Sequence, residues 1–290
     1  MDKVKFNDGR EAPSIAFGTG TALYGHDAFD QVLNALENGV IHIDAAQSYA
    51  NEESVGKAIA EYLNRHPEIS RSDLYITTKI STLPASRSVV DAINTALKKL
   101  QLTYVDCYLI HSPIKIPGDD LKHAWKGMEE VQRLGLARTI GVSNFRVKDY
   151  ELILPEATVI PAVNQIELHP YVWNAAKGIL EFQKEHKIVT AVFGGLSPLF
   201  RIEGAPLESL LESIQKRLAT MSVTATPAQI LQKWLVQSGM VVVTTSSKAS
   251  RIRESLAVPS LPELLPEEIA AIEKSADGEH RRFFQPHMDK

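Results

Sequence analysis

Apolar positions along the chain follow two alternating spacings. Short runs rich in Val, Ile and Phe predict buried β-strands, and longer stretches with apolar residues three and four apart predict helices. The first run, Val4–Phe6, is followed by Asn7-Asp8-Gly9-Arg10, where Asp-Gly is a strong hairpin signal. From residue 14 onward, the predicted strands are 14–20, 40–44, 73–79, 105–111, 138–142, 159–165, 188–193 and 240–244.

Helical stretches follow these runs and complete a repeating unit. The predicted helices are 27–36, 51–65, 86–100, 120–134, 147–154, 175–186 and 206–237, the last restarted by a capping-box pattern at Thr226, with two more beginning near Ala249 and at Pro266. Eight successive strand–helix units predict an α/β fold, a closed (β/α)8 TIM barrel, with an open doubly wound sheet as the alternative. We therefore predict a single domain, 1–290, with an N-terminal β-hairpin and a C-terminal tail, 259–290, over the active-site rim.

Composition limits the class of partner. The 290 residues carry a formal net charge of -4, and 44% of them are hydrophobic, so the chain has no basic surface for nucleic acid or an anionic membrane. No apolar run approaches the roughly 20 residues that span a bilayer, and the first residues lack a signal-peptide core. We expect a cytoplasmic protein, a monomer or weak dimer, that acts on a small molecule. The single cysteine, Cys107, lies in an apolar run and is expected to be buried.

Polar side chains stand where several predicted strands end. The run Val40–Ile43 is followed by Asp44 and then by Tyr49, and Lys79 and His111 end the third and fourth barrel strands. In such a barrel the functional face is the C-terminal end of the strands. The two-residue period of a strand turns Lys79 toward the lumen. These four side chains are therefore expected to meet at one rim.

Each of these residues alone has an ordinary structural explanation, but together they suit one kind of reaction. A tyrosine pKa of roughly 10 is too high for ready proton loss, and the ammonium of Lys79 would lower it. Asp44 would keep Lys79 charged, and His111 can orient a carbonyl oxygen. The set suits protonation of an oxyanion as hydride reaches a carbonyl carbon. A barrel aldolase with Lys79 as Schiff-base nucleophile is the alternative enzyme.

Two patterns of other nucleotide-dependent enzymes are incomplete in this chain. Tyr75 and Lys79 match the Tyr-x-x-x-Lys of short-chain dehydrogenases, but that pattern works on a helix, and on a strand the two residues are roughly 13 Å apart. The segment 18–23, Gly-Thr-Gly-Thr-Ala-Leu, does not complete the dinucleotide glycine fingerprint. The nicotinamide-binding fold of that family is therefore not supported.

Six motifs make the chain resemble the aldo-keto reductases along nearly its whole length. They are FGTGT at 17–21, HIDAAQSY at 42–49, ITTK at 76–79, LIH at 109–111, IGVSNF at 140–145 and NQIELHP at 164–170. The resemblance implies a catalytic tetrad of Asp44, Tyr49, Lys79 and His111, with Tyr49 the general acid. It also implies NADPH/NADP⁺ as cofactor, NADH being less expected, and no metal. The implied cofactor-binding residues are Gly18, Thr19, Ser143, Asn144 and Gln165 (the last three on the carboxamide), Phe193, Gly194, Gly195, Leu196, Ser197, Leu199, Thr245, Ser246, Lys248, Arg251, Glu254 and Ser255.

Two departures from the family pattern concern the cofactor. The usual aromatic residue directly before Ser-Pro-Leu is displaced here, because Phe193-Gly194-Gly195-Leu196 precedes that tripeptide, so either Phe193 or Gly194 could stack on the nicotinamide. After the last strand the usual first lysine is missing, and Lys248 is its candidate substitute. Ser246, Lys248 and Arg251 could bind a 2′-phosphate, which favours NADPH. The alternative for Lys248 and Arg251 is a solvated helix start.

The third departure concerns the substrate. Ser112 follows His111 where many relatives carry tryptophan, a feature that resembles the fungal branch with conjugated polyketone reductases. A wider pocket predicts reduction of bulky ketones, α-diketones or keto lactones alongside aldehydes. The candidate pocket walls are Tyr24, Ser112, Ile114, Trp173, Phe283 and Phe284, and simple packing is at least as good an explanation for Trp173. Potassium-channel β subunits share the fold and the tetrad, so a cofactor-binding regulatory module is the non-enzymatic alternative.

Overall fold

A short hairpin and an eight-stranded barrel make up the β-structure. The computed structural model describes residues 2–116, 118–202 and 206–290. Strands β1 (Lys3–Lys5) and β2 (Glu11–Pro13) pair antiparallel across the predicted turn, where Gly9 has φ +83°. The barrel strands are β3 (Ile15–Gly18), β4 (His42–Asp44), β5 (Tyr75–Ile80), β6 (Val105–Ile110), β7 (Ala137–Ser143), β8 (Val163–Glu167), β9 (Val189–Phe193) and β10 (Val241–Thr244).

All eight barrel strands run parallel and the sheet closes on itself. Each strand pairs with the next along the chain, and β10 returns to β3, with Thr244 opposite Phe17. The carboxyl ends of the strands therefore form one continuous rim. The predicted (β/α)8 barrel is confirmed, and the open doubly wound sheet is wrong.

Helices follow the barrel strands and pack around the barrel. They are α1 (Phe29–Glu37), α2 (Glu52–Arg65), α3 (Val89–Leu100), α4 (Asp119–Arg133), α5 (Val147–Ile153), α6 (Pro170–Glu185), α7 (Pro198–Arg201), α8 (Pro206–Thr220), α9 (Pro227–Gln237), α10 (Ala249–Ala257) and α11 (Pro266–Lys274). The capping box of α9 forms as predicted: Gln229 N donates to Thr226 Oγ1 at 3.2 Å, and Thr226 N donates to Gln229 Oε1 at 3.0 Å. Within the described ranges, no helix has both the length and the apolar character needed to cross a membrane.

Two element boundaries differ from the prediction by four or more residues. Strand β8 begins at Val163 and not at residue 159, because Pro161 lacks the N–H that a strand ladder requires. Helix α6 begins at Pro170 and not at residue 175. Proline suits the first helical position, but the following Tyr171–Trp173 run has β-favouring residue types that conceal the helix start.

The hairpin closes the N-terminal end of the barrel. Phe6 and Ala12 pack against lumen side chains that include Cys107 and Leu109. The hairpin is also tied down by a polar contact, since Thr139 Oγ1 donates to Asp8 Oδ2 at 2.7 Å. Cys107 is buried, as predicted, and burial raises the pKa of its thiol. A ligand site in the lumen must therefore open at the opposite rim.

Candidate active site

Four functional side chains lie together at the C-terminal rim of the barrel. Asp44 is the last residue of β4, and Tyr49 ends the 3₁₀ turn 47–49 that follows it. Lys79 lies one residue before the end of β5, and His111 directly follows β6. Since β4, β5 and β6 are neighbours in the barrel, their ends place the side chains within contact distance.

Lys79 is the centre of this group. Its Nζ donates to the carboxylate of Asp44, to the carbonyl oxygen of Ala45 at 3.1 Å and to Tyr49 Oη at 3.2 Å. The second carboxylate oxygen of Asp44 accepts from Gln165 Nε2 at 2.8 Å, across the lumen. Burial by itself lowers the pKa of Lys79, but Asp44 and Tyr49 outweigh it and the pKa is raised.

This geometry keeps Lys79 charged and engages its three N–H groups in hydrogen bonds. An ammonium has three N–H donors, and three acceptors surround Nζ. A Schiff-base nucleophile needs the neutral amine with a free lone pair. The arrangement therefore counts against the aldolase alternative.

Tyr49 is held against both Lys79 and His111. Its ring meets the His111 ring edge-on, with centroids 5.3 Å apart. Burial raises the pKa of the phenol by more than Lys79 lowers it, so the net shift is upward. The expected net lowering by Lys79 is wrong, because desolvation of the phenolate is the larger effect. Tyr49 is consequently protonated at neutral pH and available as a proton donor.

His111 is a neutral imidazole. Its Nδ1 lies 2.9 Å from Ser81 Oγ and 3.2 Å from Ser48 Oγ. Burial, assisted by the charges of Lys79 and Lys115, lowers the pKa of His111 to about 3. When the Ser81 hydroxyl donates to Nδ1, the single ring proton of the neutral imidazole resides on Nε2. His111 can then donate a hydrogen bond without carrying charge.

Three residues that sequence reasoning missed support this group. Ser81 lies two residues beyond Lys79 and orients the His111 ring. Asn51 Nδ2 donates to the carbonyl oxygens of Thr19 and Leu23, each at 2.9 Å, and so holds the loop beside Tyr49. Gly20 is needed because a Cβ there would overlap the Tyr49 ring. Their positions next to the motifs at 17–21, 42–49 and 76–79 were the available signal.

A cavity of about 750 Å³ opens above the tetrad. Asp44, Tyr49 and His111 line it, while Lys79 lies buried beneath. The other predicted site residues that line it are Gly18, Ser143, Asn144, Gln165, Phe193, Gly194, Gly195, Leu196, Ser197, Thr245, Tyr24, Ser112 and Phe284. Lining residues that were not predicted include Lys115, Phe200, Arg201 and Gln232.

A second cavity of about 690 Å³ continues from the first. The two share Leu196, Phe200, Gln232, Thr244 and Thr245. Predicted cofactor residues that line the second cavity are Leu196, Leu199, Thr245, Ser246, Arg251, Glu254 and Ser255. The two adjoining cavities form a groove whose lining residues run from Asp44 in the first cavity to Arg251 in the second.

Apart from Lys79, five predicted site residues lie outside both cavities. Thr19 is buried and its hydroxyl donates to the carbonyl oxygen of Asp44 at 3.1 Å. Lys248 is exposed at the start of α10, and Ile114 is 51% exposed on the outer surface of its turn. Trp173 packs on Trp234 with ring centroids 5.3 Å apart. Phe283 packs on His169, with centroids 5.4 Å apart.

The two cavities therefore give no support for direct ligand contact by these five residues. Two of the residues, Thr19 and Trp173, contribute to packing and to the support of the site. The Phe283 ring packs on His169, whereas the Phe284 ring meets that of Phe193 edge-on. Only Phe284 of this pair lines the cavity above the tetrad.

Comparison with known proteins settles the family. Residues 14–277 match the Aldo/keto reductase family. The chain belongs to this family. Its enzyme class, an oxidoreductase of the aldo-keto reductase type, is thereby confirmed as predicted.

Relatives in the aldo/keto reductase family include two fungal enzymes. The chain is 37% identical to the NAD/NADP-dependent indole-3-acetaldehyde reductase of Schizosaccharomyces pombe, over 97% of this chain and 98% of the relative. It is 38% identical to the NADPH-dependent alpha-keto amide reductase of Saccharomyces cerevisiae, over 86% and 83%. The solved aldose reductase of Schistosoma japonicum superposes with a TM-score of 0.83 at 30% identity, covering 99% of this chain and 96% of that one.

Proposed function

We propose that this protein reduces aldehydes and ketones to alcohols with NADPH, and that bulky ketones, α-diketones and keto lactones are among its substrates. The observation that carries the proposal is the phenol of Tyr49, hydrogen-bonded to Lys79 and packed against His111, where Tyr49 and His111 line one cavity. Bound NADPH supplies hydride to the carbonyl carbon. The protein's part is to bind the reactants and to protonate the oxygen.

The proton in this scheme comes from Tyr49 Oη. As negative charge develops on the carbonyl oxygen, Oη passes its proton to that oxygen and becomes a phenolate. Lys79, 3.2 Å from Oη, stabilises the phenolate, and Asp44 keeps the lysine charged. Nε2–H of His111 would hold the carbonyl oxygen by a hydrogen bond. Neutral His111 suits this role because an imidazolium would compete with Tyr49 as the acid.

The groove residues fit a nicotinamide cofactor. Asn144 Oδ1 is buried and has no hydrogen-bond partner among the described residues. A carboxamide N–H would satisfy it, and Ser143 and Gln165 stand beside it for the remaining contacts. At the far end Arg251 lines the groove and could bind the 2′-phosphate as a bidentate donor. Two relatives, one named NAD/NADP-dependent and the other NADPH-dependent, support this choice of cofactor.

The proposed substrate range depends on the space next to His111. Ser112 lines the cavity and is small, so a bulky group can lie beside the tetrad. Tyr24 and Phe284 supply aromatic walls farther out. The names of the two fungal relatives, an indole-3-acetaldehyde reductase and an alpha-keto amide reductase, denote substrates with a bulky ring or a second carbonyl group.

A substrate panel tests the proposal. NADPH oxidation would be followed with aldehydes, α-diketones and α-keto lactones, comparing wild type with Tyr49→Phe. We expect the variant to lose about 10²- to 10⁴-fold in kcat, the range typical of a removed general acid. Tyr75→Phe is the matched control, because the Tyr75 hydroxyl is buried and has no hydrogen-bond partner in the part of the chain that the structure describes.

The panel also separates the alternatives. Full activity in Tyr49→Phe would refute the proton-donor assignment. A wild-type protein that binds NADPH but reduces no carbonyl compound would favour the regulatory-module alternative. Covalent trapping of a substrate on Lys79 by borohydride, without NADPH consumption, would favour the aldolase.

A further inference from the structure

The C-terminal tail supplies one wall of the cavity through a single aromatic ring. Phe284 lines the cavity, and its ring meets that of Phe193 edge-on, with centroids 5.8 Å apart. The guanidinium of Arg201 lies 5.4 Å from the centroid of Phe284. A ring carried by a chain terminus forms a defined wall only if its backbone is held in place.

The backbone of this segment is held by Glu167. Its carboxylate accepts from the backbone N–H of Phe283 at 2.8 Å and from that of Phe284 at 2.9 Å. His169 Nε2 lies 3.1 Å from the same group, and Arg282 Nη1 lies 3.6 Å from it. Glu167 is 1% exposed, so these contacts form away from solvent.

We propose that Glu167 is a positioning residue, which fixes Phe284 as a wall of the substrate cavity and thereby sets the enzyme's affinity for bulky carbonyl substrates. Glu167 is the last residue of β8 and lies opposite Phe193 in the barrel register. It lies two residues after Gln165, on the same face of the strand, and Gln165 donates to Asp44 of the tetrad. The carboxylate thus anchors the tail to the end of a barrel strand.

Both oxygens are needed for this contact. Each oxygen of the carboxylate takes one backbone N–H of the tail, and such charge-assisted bonds are stronger than neutral ones. The rest of the tail has its own anchors: Arg146 Nη1 donates to the carbonyl oxygen of His287 at 3.1 Å, and His287 Nε2 lies 3.0 Å from that of Asn144. Loss of Glu167 should therefore loosen the segment at 283–284 without detaching the whole tail.

The kinetic test rests on the proposed reductase function. Glu167→Gln keeps the shape of the side chain but turns an N–H₂ group toward one tail amide. We expect KM for benzil, a bulky α-diketone, to rise about tenfold, the loss corresponding to one such interaction. For propanal, which carries no bulky group to pack on the Phe284 wall, kcat/KM should stay within about threefold. Equal losses on both substrates would overturn the proposal.

A double variant shows whether Glu167 acts through Phe284. If it does, Phe284→Ala alone raises KM for benzil, and adding Glu167→Gln produces no further rise. Independent effects would instead multiply, and that result would contradict the assignment. If Glu167→Gln does not fold, Glu167→Asp is the second variant. It keeps the buried charge, but its side chain is one methylene group shorter, so the carboxylate lies farther from the tail amides. The same selective rise for benzil is expected.

Trypsin cleavage tests the clamp without any reference to activity. The Arg282 side chain is 5% exposed, so cleavage after it should be slow in the wild type. Glu167→Gln should release residues 283–290 several-fold faster, as read by mass spectrometry. Glu268→Gln is the matched control, because Glu268 is also buried and accepts a backbone N–H, from Leu265 at 2.9 Å, at a helix start away from the cavity.

The two readouts distinguish the two possible failures. Unchanged cleavage in Glu167→Gln, or equally fast release in Glu268→Gln, would overturn the clamp. If the wild type reduced no carbonyl compound, the proposed function would fail, and the cleavage rates would still decide whether Glu167 holds the tail.

Discussion

Replacing Lys79 by methionine should destabilise the protein chiefly through the residue that remains. Methionine is long and apolar enough to fill most of the buried space of a lysine side chain. Asp44, however, is 2% exposed, and its carboxylate would keep a single donor among residues 2–116, 118–202 and 206–290, Gln165 Nε2 at 2.8 Å. Removing one partner of a buried ion pair costs about 3–5 kcal/mol. For a chain of 290 residues that corresponds to a fall in Tm of roughly 5–8 °C.

The second perturbation removes the unpaired charge. In the double variant Lys79→Met/Asp44→Asn, the site holds a neutral amide and a thioether, and neutral replacements for a buried pair are often as stable as the pair itself. We expect the double variant to recover at least about 2 kcal/mol of the lost free energy of unfolding. Reductase activity should be absent from both, since Tyr49 loses the ammonium that stabilises its phenolate.

Urea unfolding at pH 7, followed by circular dichroism, measures this cycle. Four proteins are needed: wild type, the Lys79→Met and Asp44→Asn single variants, and the double variant. If the double variant is destabilised by the sum of the two single effects, the reasoning is refuted, because the cost would then come from packing and not from an unpaired buried charge. Recovery of activity together with stability would refute the role of Lys79 in the chemistry.

Three further outcomes follow from the site's titration and from the groove. Burial lowers the pKa of His42 from 6.5 to about 4 in the folded protein. As pH falls below 6.5, His42 is therefore protonated in the unfolded chain before it is protonated in the folded one. About 3 kcal/mol of the free energy of unfolding should be lost by pH 4. Urea titrations should show a smaller loss in His42→Gln and an unchanged loss in the exposed-site control His123→Gln. Because the pKa of Tyr49 is raised, kcat for reduction should stay flat from roughly pH 6 to 10 and fall only in stronger alkali. A decline in kcat beginning near pH 8 would contradict the assignment of Tyr49 as the proton donor. Arg251→Ala should raise KM for NADPH about tenfold and leave KM for NADH unchanged. Lys248→Ala, outside the groove, should change neither KM. Equal losses for both cofactors in Arg251→Ala would argue against a 2′-phosphate contact.

Most of the fold was predictable because its signal is local. Strand and helix alternate in hydrophobic period, and Asp8-Gly9 and the Thr226 capping box are turn and cap signals of a few residues. The misplaced starts of β8 and α6 have the same origin. At 159–163 the residue types favour a strand, but Pro161 delays its start to Val163. At 170–175 the residue types again favour a strand, but a helix begins at Pro170.

The tetrad was predictable for a different reason. Parallel strands of a closed barrel bring all strand ends to one rim, so position along each strand is enough to predict that Asp44, Lys79 and His111 meet. Contacts between loops carry no such period. That is why Ile114 and Trp173 were predicted as pocket walls although neither lines a cavity, and why Ser81 and Asn51 were missed.

The sequence by itself thus determined the order of elements, the lumen-facing side of each strand and the residues that gather at the rim, because these depend on spacing along the chain. The tertiary structure decided what depends on distance and desolvation. It made Tyr49 a weaker acid than expected, because burial outweighs the ammonium beside it. It also joined Glu167 to the amides of Phe283 and Phe284, a contact between positions more than a hundred residues apart that no local pattern records.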